Sequence, residues 1–178
     1  EVMGLPAGNR SRGQRFHAPN DIVIDSPAGY GQQLKQAYVL ADFAERRHLI
    51  REGVHAAAKQ AGGHAVIDDD LLNEVTALNE WPVPLVGQFE ARFLDVPAEA
   101  LISSMKSHQK YFHVLDDSGK LMPIFITVAN IESTDPEQVI RGNERVIRPR
   151  LSDAAFFYET DRQTTLAKHR ELLRSIVF

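Results

Sequence analysis

The sequence predicts an α+β fold, with an antiparallel sheet that includes a hairpin near 110–129, packed with several helices. Three observations lead there. Residues 42–61 place Ile50, Val54, Ala57, Ala58 and Ala61 along one helical stripe. Leu85, Gly87, Phe89, Ala91 and Phe93 recur with period two, as one face of a strand would. Two runs rich in aromatic and β-branched residues, 110–115 and 120–129, flank Asp116-Asp-Ser-Gly119, whose turn chemistry makes them a hairpin.

The elements follow in order. Residues 1–15 are rich in Gly, Arg, Asn and Ser and read as a loop or basic arm, and Arg15 to Asp25 reads as a strand broken near Pro19-Asn20. Pro27 opens a helix carrying Tyr30, Leu34 and Ala37. The helix 42–61 has Asp42 as N-cap and Gly62-Gly63 as its stop, with Phe43 and Leu49 on its apolar stripe. His64 to Ile67 is a short strand. Asp68-Asp69-Asp70 then opens a helix buried through Leu71, Leu72, Val75 and Leu78, where carboxylates favour the helix N-terminus. Pro97 to Ser107 is a short helix. Ser133-Thr-Asp-Pro136 caps a further helix, which Pro149 should end or kink near Arg148. Phe156, Phe157 and Tyr158 are suited to anchoring that element on a core.

Composition narrows the function classes. No apolar run approaches the roughly 20 residues of a membrane helix, and the absence of cysteine excludes disulfides and thiolate metal sites. The formal charge of −4 argues against a wholly basic nucleic-acid binder. Its distribution is uneven: residues 62–105 hold one basic and eight acidic side chains, whereas 141–178 hold eight basic and five acidic. A polyanion is therefore expected at the ends of the chain rather than at its middle. The seven histidines form neither a His-x-x-x-His pair nor a His-Asp dipeptide, so no metal site is expected. No phosphate-binding Gly loop and no nucleophile elbow occurs, so no catalytic residue is assigned.

The basic residues carry the functional expectation. Arg141, Arg145, Arg148 and Arg150 fall within ten residues, and the first three share one helical face. Such donors suit phosphate or carboxylate; the competing reading is a solvated face paired with Glu144, Glu159 or Asp161. Lys106 and Lys110, with His108, are further candidate phosphate contacts, and strand alternation would leave at most one of Tyr111 and Phe112 free to stack on a base. Arg12 and Arg15, beside Phe16 and His17, form a basic cluster that could order on RNA. Arg46, Arg47 and Arg51 read as an ordinary exposed face.

Blocks of the chain also resemble a known family in its own order. They are Arg12-Gly-Gln-Arg-Phe-His17, Val39-Leu-Ala-Asp-Phe-Ala-Glu-Arg-Arg47, Ser104-Met-Lys-Ser-His-Gln-Lys-Tyr-Phe112, Gly119 through Asn130, and Arg141 through Arg162. Together they resemble the beta subunit of the bacterial-type, two-subunit glycyl-tRNA synthetase. That family's beta chain is several times longer, so the chain reads as an excised internal piece, with 1–150 an α+β module and 151–178 a helical connection to the next domain. The resemblance implies a cytoplasmic role in attaching glycine to its tRNA, with the glycine tRNA and the alpha subunit as partners. ATP and Mg are expected on the alpha subunit and no cofactor on this piece; the family's His-Asp-type domain is expected beyond Phe178. A module similar to the B3/B4 type of phenylalanyl-tRNA synthetase is implied at family level only. The alternative is a scaffold that docks the alpha subunit or other beta-subunit domains without touching RNA. A weaker third reading is an editing relic, which needs a pocket of converging polar groups.

Overall fold

The computed structural model describes residues 3–4 and 6–174. Its centre is a four-stranded antiparallel sheet ordered β3-β5-β6-β4, from β3 (His64–Ala65), β4 (Val83–Gln88), β5 (Phe112–Leu115) and β6 (Leu121–Ala129). Two helical layers cover its faces. On one face lie α2 (Phe43–Gln60) and α3 (Asp69–Leu78), whose Ile50, Val54, Ala58, Leu72 and Val75 pack against Phe112, Val114, Ile124 and Ile126. The other face carries α4 (Ala98–Ser103) and α5 (Pro136–Arg162), where Leu101, Met105, Ile147 and Leu151 surround Tyr111 and Phe125. The period-two alternation of β6 thus serves two cores at once, which confirms the α+β reading.

Local chemistry sets the ends of these elements. Asp42 accepts the Glu45 N–H and Asp68 accepts the Leu71 N–H, so both carboxylates act as the expected N-caps. The 112–129 hairpin turns on Asp116, whose Oδ1 accepts from Ser118 N, Ser118 Oγ and Lys120 N at 2.7–2.9 Å. The Ser118 hydroxyl first, and these backbone donors with it, hold the Asp116 carboxyl below the usual range. Edge strand β4 is protected: Pro84 has no N–H to offer, and the outward Gln88 N–H donates to Glu144 Oε1 at 2.9 Å. Gly87 lies opposite Phe125, and a Cβ there would run into the ring. The bare backbone lets Phe125 lie over β4 and stack on Tyr111, with ring centroids 4.5 Å apart.

An N-terminal unit flanks this sandwich. It consists of β1 (Arg10–Arg12) paired antiparallel with β2 (Asp21–Val23), a 3₁₀ turn at Pro27–Gly29, and α1 (Tyr30–Gln36). The expected strand from Arg15 to Asp25 is therefore only its last part, and the expected basic arm is half of a ribbon. Residues 15–17 form the turn instead, because Gln14 offers a local acceptor to their backbone.

Other expectations are corrected. The period-two face does not continue to Phe93, because Ala91–Asp95 is a 3₁₀ turn that sends Phe93 into the second core. Helix α4 passes into a π-helical stretch at Ser104–Gln109 and stops at Lys110, which adopts φ 60°. Tyr111 consequently precedes β5, and both Tyr111 and Phe112 are buried, so neither ring is free. Phe43, Leu49 and Leu78 are largely exposed rather than buried. Pro149 does not end α5. It cannot donate to the Arg145 carbonyl, but the turns around it are pinned by the fully buried Ile147 and Leu151. Phe156 and Phe157 do not anchor the helix: they are 65% and 63% exposed, while Ala154, Ala155 and Tyr158 take the core-facing positions. Helix α5 runs through residue 150, and α6 (Leu166–Leu173) follows; the end of the expected helical connection, 175–178, lies outside the described residues.

Candidate nucleic-acid interface

The basic residues separate into those held by carboxylates and those left open. Around the start of α3, Arg47 and Arg51 both donate to Asp69 Oδ1 at 2.8 and 2.7 Å. Lys106 donates to Asp68 Oδ2 at 2.8 Å, and Lys110 Nζ lies 2.8 Å from Glu74 Oε1. The bond from Lys106, ahead of the Leu71 N–H, lowers the Asp68 carboxyl from its ordinary value. Arg46, expected on an exposed face, instead ties the 40–41 loop to α3 by donating to the carbonyls of Leu40, Ala41 and Thr76. The two candidate lysines thus sit in a network that also holds α3 against the π-helical stretch.

Helix α5 presents its arginines on two flanks. Arg141, Arg145 and Arg148 share the flank beside β4, as their spacing predicts, whereas Arg150 falls on the other, next to His108, Asp153 and Phe157. Arg141 is held by Glu137 at 3.1 Å and by Gln138 at 3.3 Å. Arg148 Nε lies 2.7 Å from Glu90 Oε1. The carboxyl of Glu90 is lowered by its own backbone N–H and then by Arg148. The competing partners Glu144, Glu159 and Asp161 are not the ones used. Among the described residues, Arg145 and Arg150 are exposed and pair with no carboxylate. The helix beneath is fixed to the sheet: Tyr111 Oη donates to Asn143 Oδ1 at 2.6 Å, and burial pushes the Tyr111 hydroxyl up to about 12.

Beside the segment that leads into α5, the Arg12–His17 block forms a fastened loop. Gln14 is only 6% exposed, and its Oε1 accepts from Phe16 N and His17 N at 2.7 and 2.8 Å. Its own N–H donates to the Ala37 carbonyl at 2.9 Å. A Cβ on Gly13 would come within 2.7 Å of Ala37 Cβ, so the loop lies tight on α1's end. The His17 ring stacks on Tyr38 at 4.7 Å, and Nε2 is 3.1 Å from the Glu132 carbonyl. Between these anchors Arg15 and Phe16 point outward, Phe16 with 73% of its surface exposed. Arg12 reaches Asp21 only at 3.8 Å, and Arg10 shares that carboxylate at 3.7 Å.

The loop borders a cleft of about 680 Å³, which Glu80, Asn130 and Ile131 close from the sheet side. Asn130 Oδ1 accepts from the N–H groups of Glu80 and Trp81 at 2.7 and 2.9 Å, which fixes its carboxamide and leaves Nδ2 as a donor with no partner among the described residues. A smaller cleft lined by Leu78, Gln109, Lys110 and Asn130 adjoins it. Sequence reasoning found Arg12 and Arg15 but not Glu80 or Asn130, whose part in the cleft depends on long-range packing. Among the described residues, no three His, Asp or Glu side chains come together as metal ligands would, and no helix is long and apolar enough to cross a membrane.

Comparison with known proteins decides the family. A family profile described as glycyl-tRNA synthetase beta subunit matches residues 1–178. The chain belongs to that family. It is 69% identical over 99% of its length to a glycine–tRNA ligase beta subunit from Marinobacter nauticus, and 63% identical over 100% to one from Hahella chejuensis. The chain spans about a quarter of those relatives, 26% of each. The likeness to the beta-subunit family thus extends over all the blocks that first carried it, including the Arg12–His17 loop, the π-helical stretch and the arginines of α5.

Proposed function

We propose that this chain is a tRNA-contacting and architectural part of a glycine–tRNA ligase beta subunit, acting in the cytoplasm with an alpha subunit that binds ATP, Mg and glycine. The observation that carries the reading is the Arg141–Arg150 flanks of α5: donors on a helix fixed to a sheet, with Arg145 and Arg150 lacking carboxylate partners among the described residues. Guanidinium groups on a rigid element suit phosphate, and such contacts position RNA without reading its sequence. Arg15 and Arg12 extend the basic surface, while Lys106 and Lys110 are less available because Asp68 and Glu74 already hold them. The region from 151 onward, including the end of α5 and α6, leads toward the next part of the subunit.

The test is tRNA binding by the full-length beta subunit with its alpha partner. Changing Arg145 and Arg150 to Ala should weaken binding of the glycine tRNA at moderate salt. It should also flatten the dependence of log affinity on log salt by roughly one per lost contact. Unchanged affinity would remove the α5 contact. A second reading, a scaffold that docks other parts of the enzyme, is favoured by the exposed Phe156–Phe157 pair, whose rings meet edge-to-face at 5.7 Å. That reading expects Phe156→Ser with Phe157→Ser to weaken assembly of the two subunits, measured by sedimentation.

A further inference from the structure

We propose that the cleft beside Asn130 receives one unpaired nucleotide of bound RNA, with its base laid on Phe16 and its phosphate on Arg15. This rests on the reading above that the chain contacts tRNA, and it assigns a particular seat and a particular RNA state. Phe16 is the starting point. A Phe in a loose loop needs no explanation when exposed, but this loop is held on both sides of it, by Gln14 and by the His17–Tyr38 stack. The outward ring is therefore a pre-set surface rather than a side chain in search of a core.

The surroundings fit a nucleotide in size and in chemistry. The volume of about 680 Å³ falls in the range of small-ligand pockets, roughly 300–1,000 Å³. Arg15 lines the cleft with no carboxylate partner among the described residues, and Arg12 is only loosely engaged by Asp21. The Asn130 Nδ2 donor and the exposed Glu80 carboxylate offer one donor and one acceptor to a base edge. Asp21 and Glu80 would repel a phosphate placed deep in the cleft, so the phosphate belongs at the Arg15 rim and the base inside. A ring can stack only on a base face that its neighbours leave uncovered. The seat therefore takes a nucleotide outside a continuous duplex.

The experiment uses the full-length beta subunit with its alpha partner, glycine tRNA, and a blunt RNA duplex without unpaired nucleotides. Phe16→Ala should weaken tRNA binding about tenfold or more while leaving the salt slope unchanged, because stacking involves no counterion. The Phe16→Trp protein should keep its affinity, and its added fluorescence, read as the difference from the parent protein under the same conditions, should be quenched by the tRNA and not by the duplex. Affinity within about twofold for Phe16→Ala, or no quenching of the Phe16→Trp protein by tRNA, overturns the proposal. If that happens while the Arg145 and Arg150 changes still weaken binding, the nucleotide seat falls and the broader tRNA reading stands. If neither set moves the affinity, both fall. The exposure of Phe16 makes loss of folding an improbable cause of any effect, and unaltered thermal unfolding of both variants checks it.

Discussion

Around the start of α3, Arg47, Arg51, Lys106 and Lys110 all sit within 2.8 Å of a carboxylate on Asp68, Asp69 or Glu74. Around the N-terminal loop and on α5, Arg15, Arg145 and Arg150 have no such partner among the described residues, and Arg12 has only a long one. Both regions carry several basic side chains. The difference lies in what the fold brings beside them: the acidic run that opens α3, with Glu74, pairs with the first group, whereas among the described residues the second meets only the distant Asp21. A count of Lys and Arg thus overstates the polyanion-binding surface, and the carboxylates packed against them decide which ones remain.

Changes in the shared sheet should strike both regions alike. Phe125→Ala removes a fully buried ring that packs on Tyr111 and Gly87, and should cost about 3–5 kcal/mol in chemical denaturation. Separating the regions takes local changes. Gln14→Ala leaves the Phe16 and His17 N–H groups without their acceptor and should cost about 1–3 kcal/mol, with faster hydrogen exchange confined to 13–18. Asp68→Ala removes an N-cap, about 1 kcal/mol, and also releases Lys106. It should steepen the salt dependence of RNA binding, making the α3 region behave more like the open one.

The smallest effect is on pH dependence. Burial, and then the nearby Lys106 charge, hold the His113 imidazole below its ordinary 6.5. The folded state therefore binds this proton less readily than the unfolded chain. Its contribution is complete above 6.5 and declines as pH falls from there toward the lowered folded value. Replacing His113 with Gln should flatten the stability profile in that window, and a profile unchanged by the replacement would remove the assignment.

Much of the fold was legible because local chemistry and long-range packing agree there. Asp42 and Asp68 are caps in both readings, and the hairpin turn is held by bonds from Asp116 to its near neighbours Ser118 and Lys120. Legibility failed where packing overrules local preference. Pro149 reads as a breaker, but buried Ile147 and Leu151 on either side carry the helix through it. Phe156 and Phe157 read as anchors, but helical phase gives the core-facing positions to Ala154, Ala155 and Tyr158. For the interface, the sequence identified the basic residues but not their partners, because Glu90, Asp69 and Glu74 are distant from Arg148, Arg51 and Lys110 along the chain. Asn130 carried no signal at all until the loop at 80–81 closed over it.

The central claim, that carboxylate pairing decides which basic residues meet RNA, is tested most directly by comparing two triple substitutions in the full-length subunit with its alpha partner. One removes Arg47, Arg51 and Lys106, the other Arg15, Arg145 and Arg150, each by change to Ala. The measurement is glycine-tRNA affinity across a salt series. The account predicts that the second set flattens the log–log slope by roughly two to three while the first changes it by less than about one. Equal flattening by the two sets, or greater flattening by the first, would contradict it.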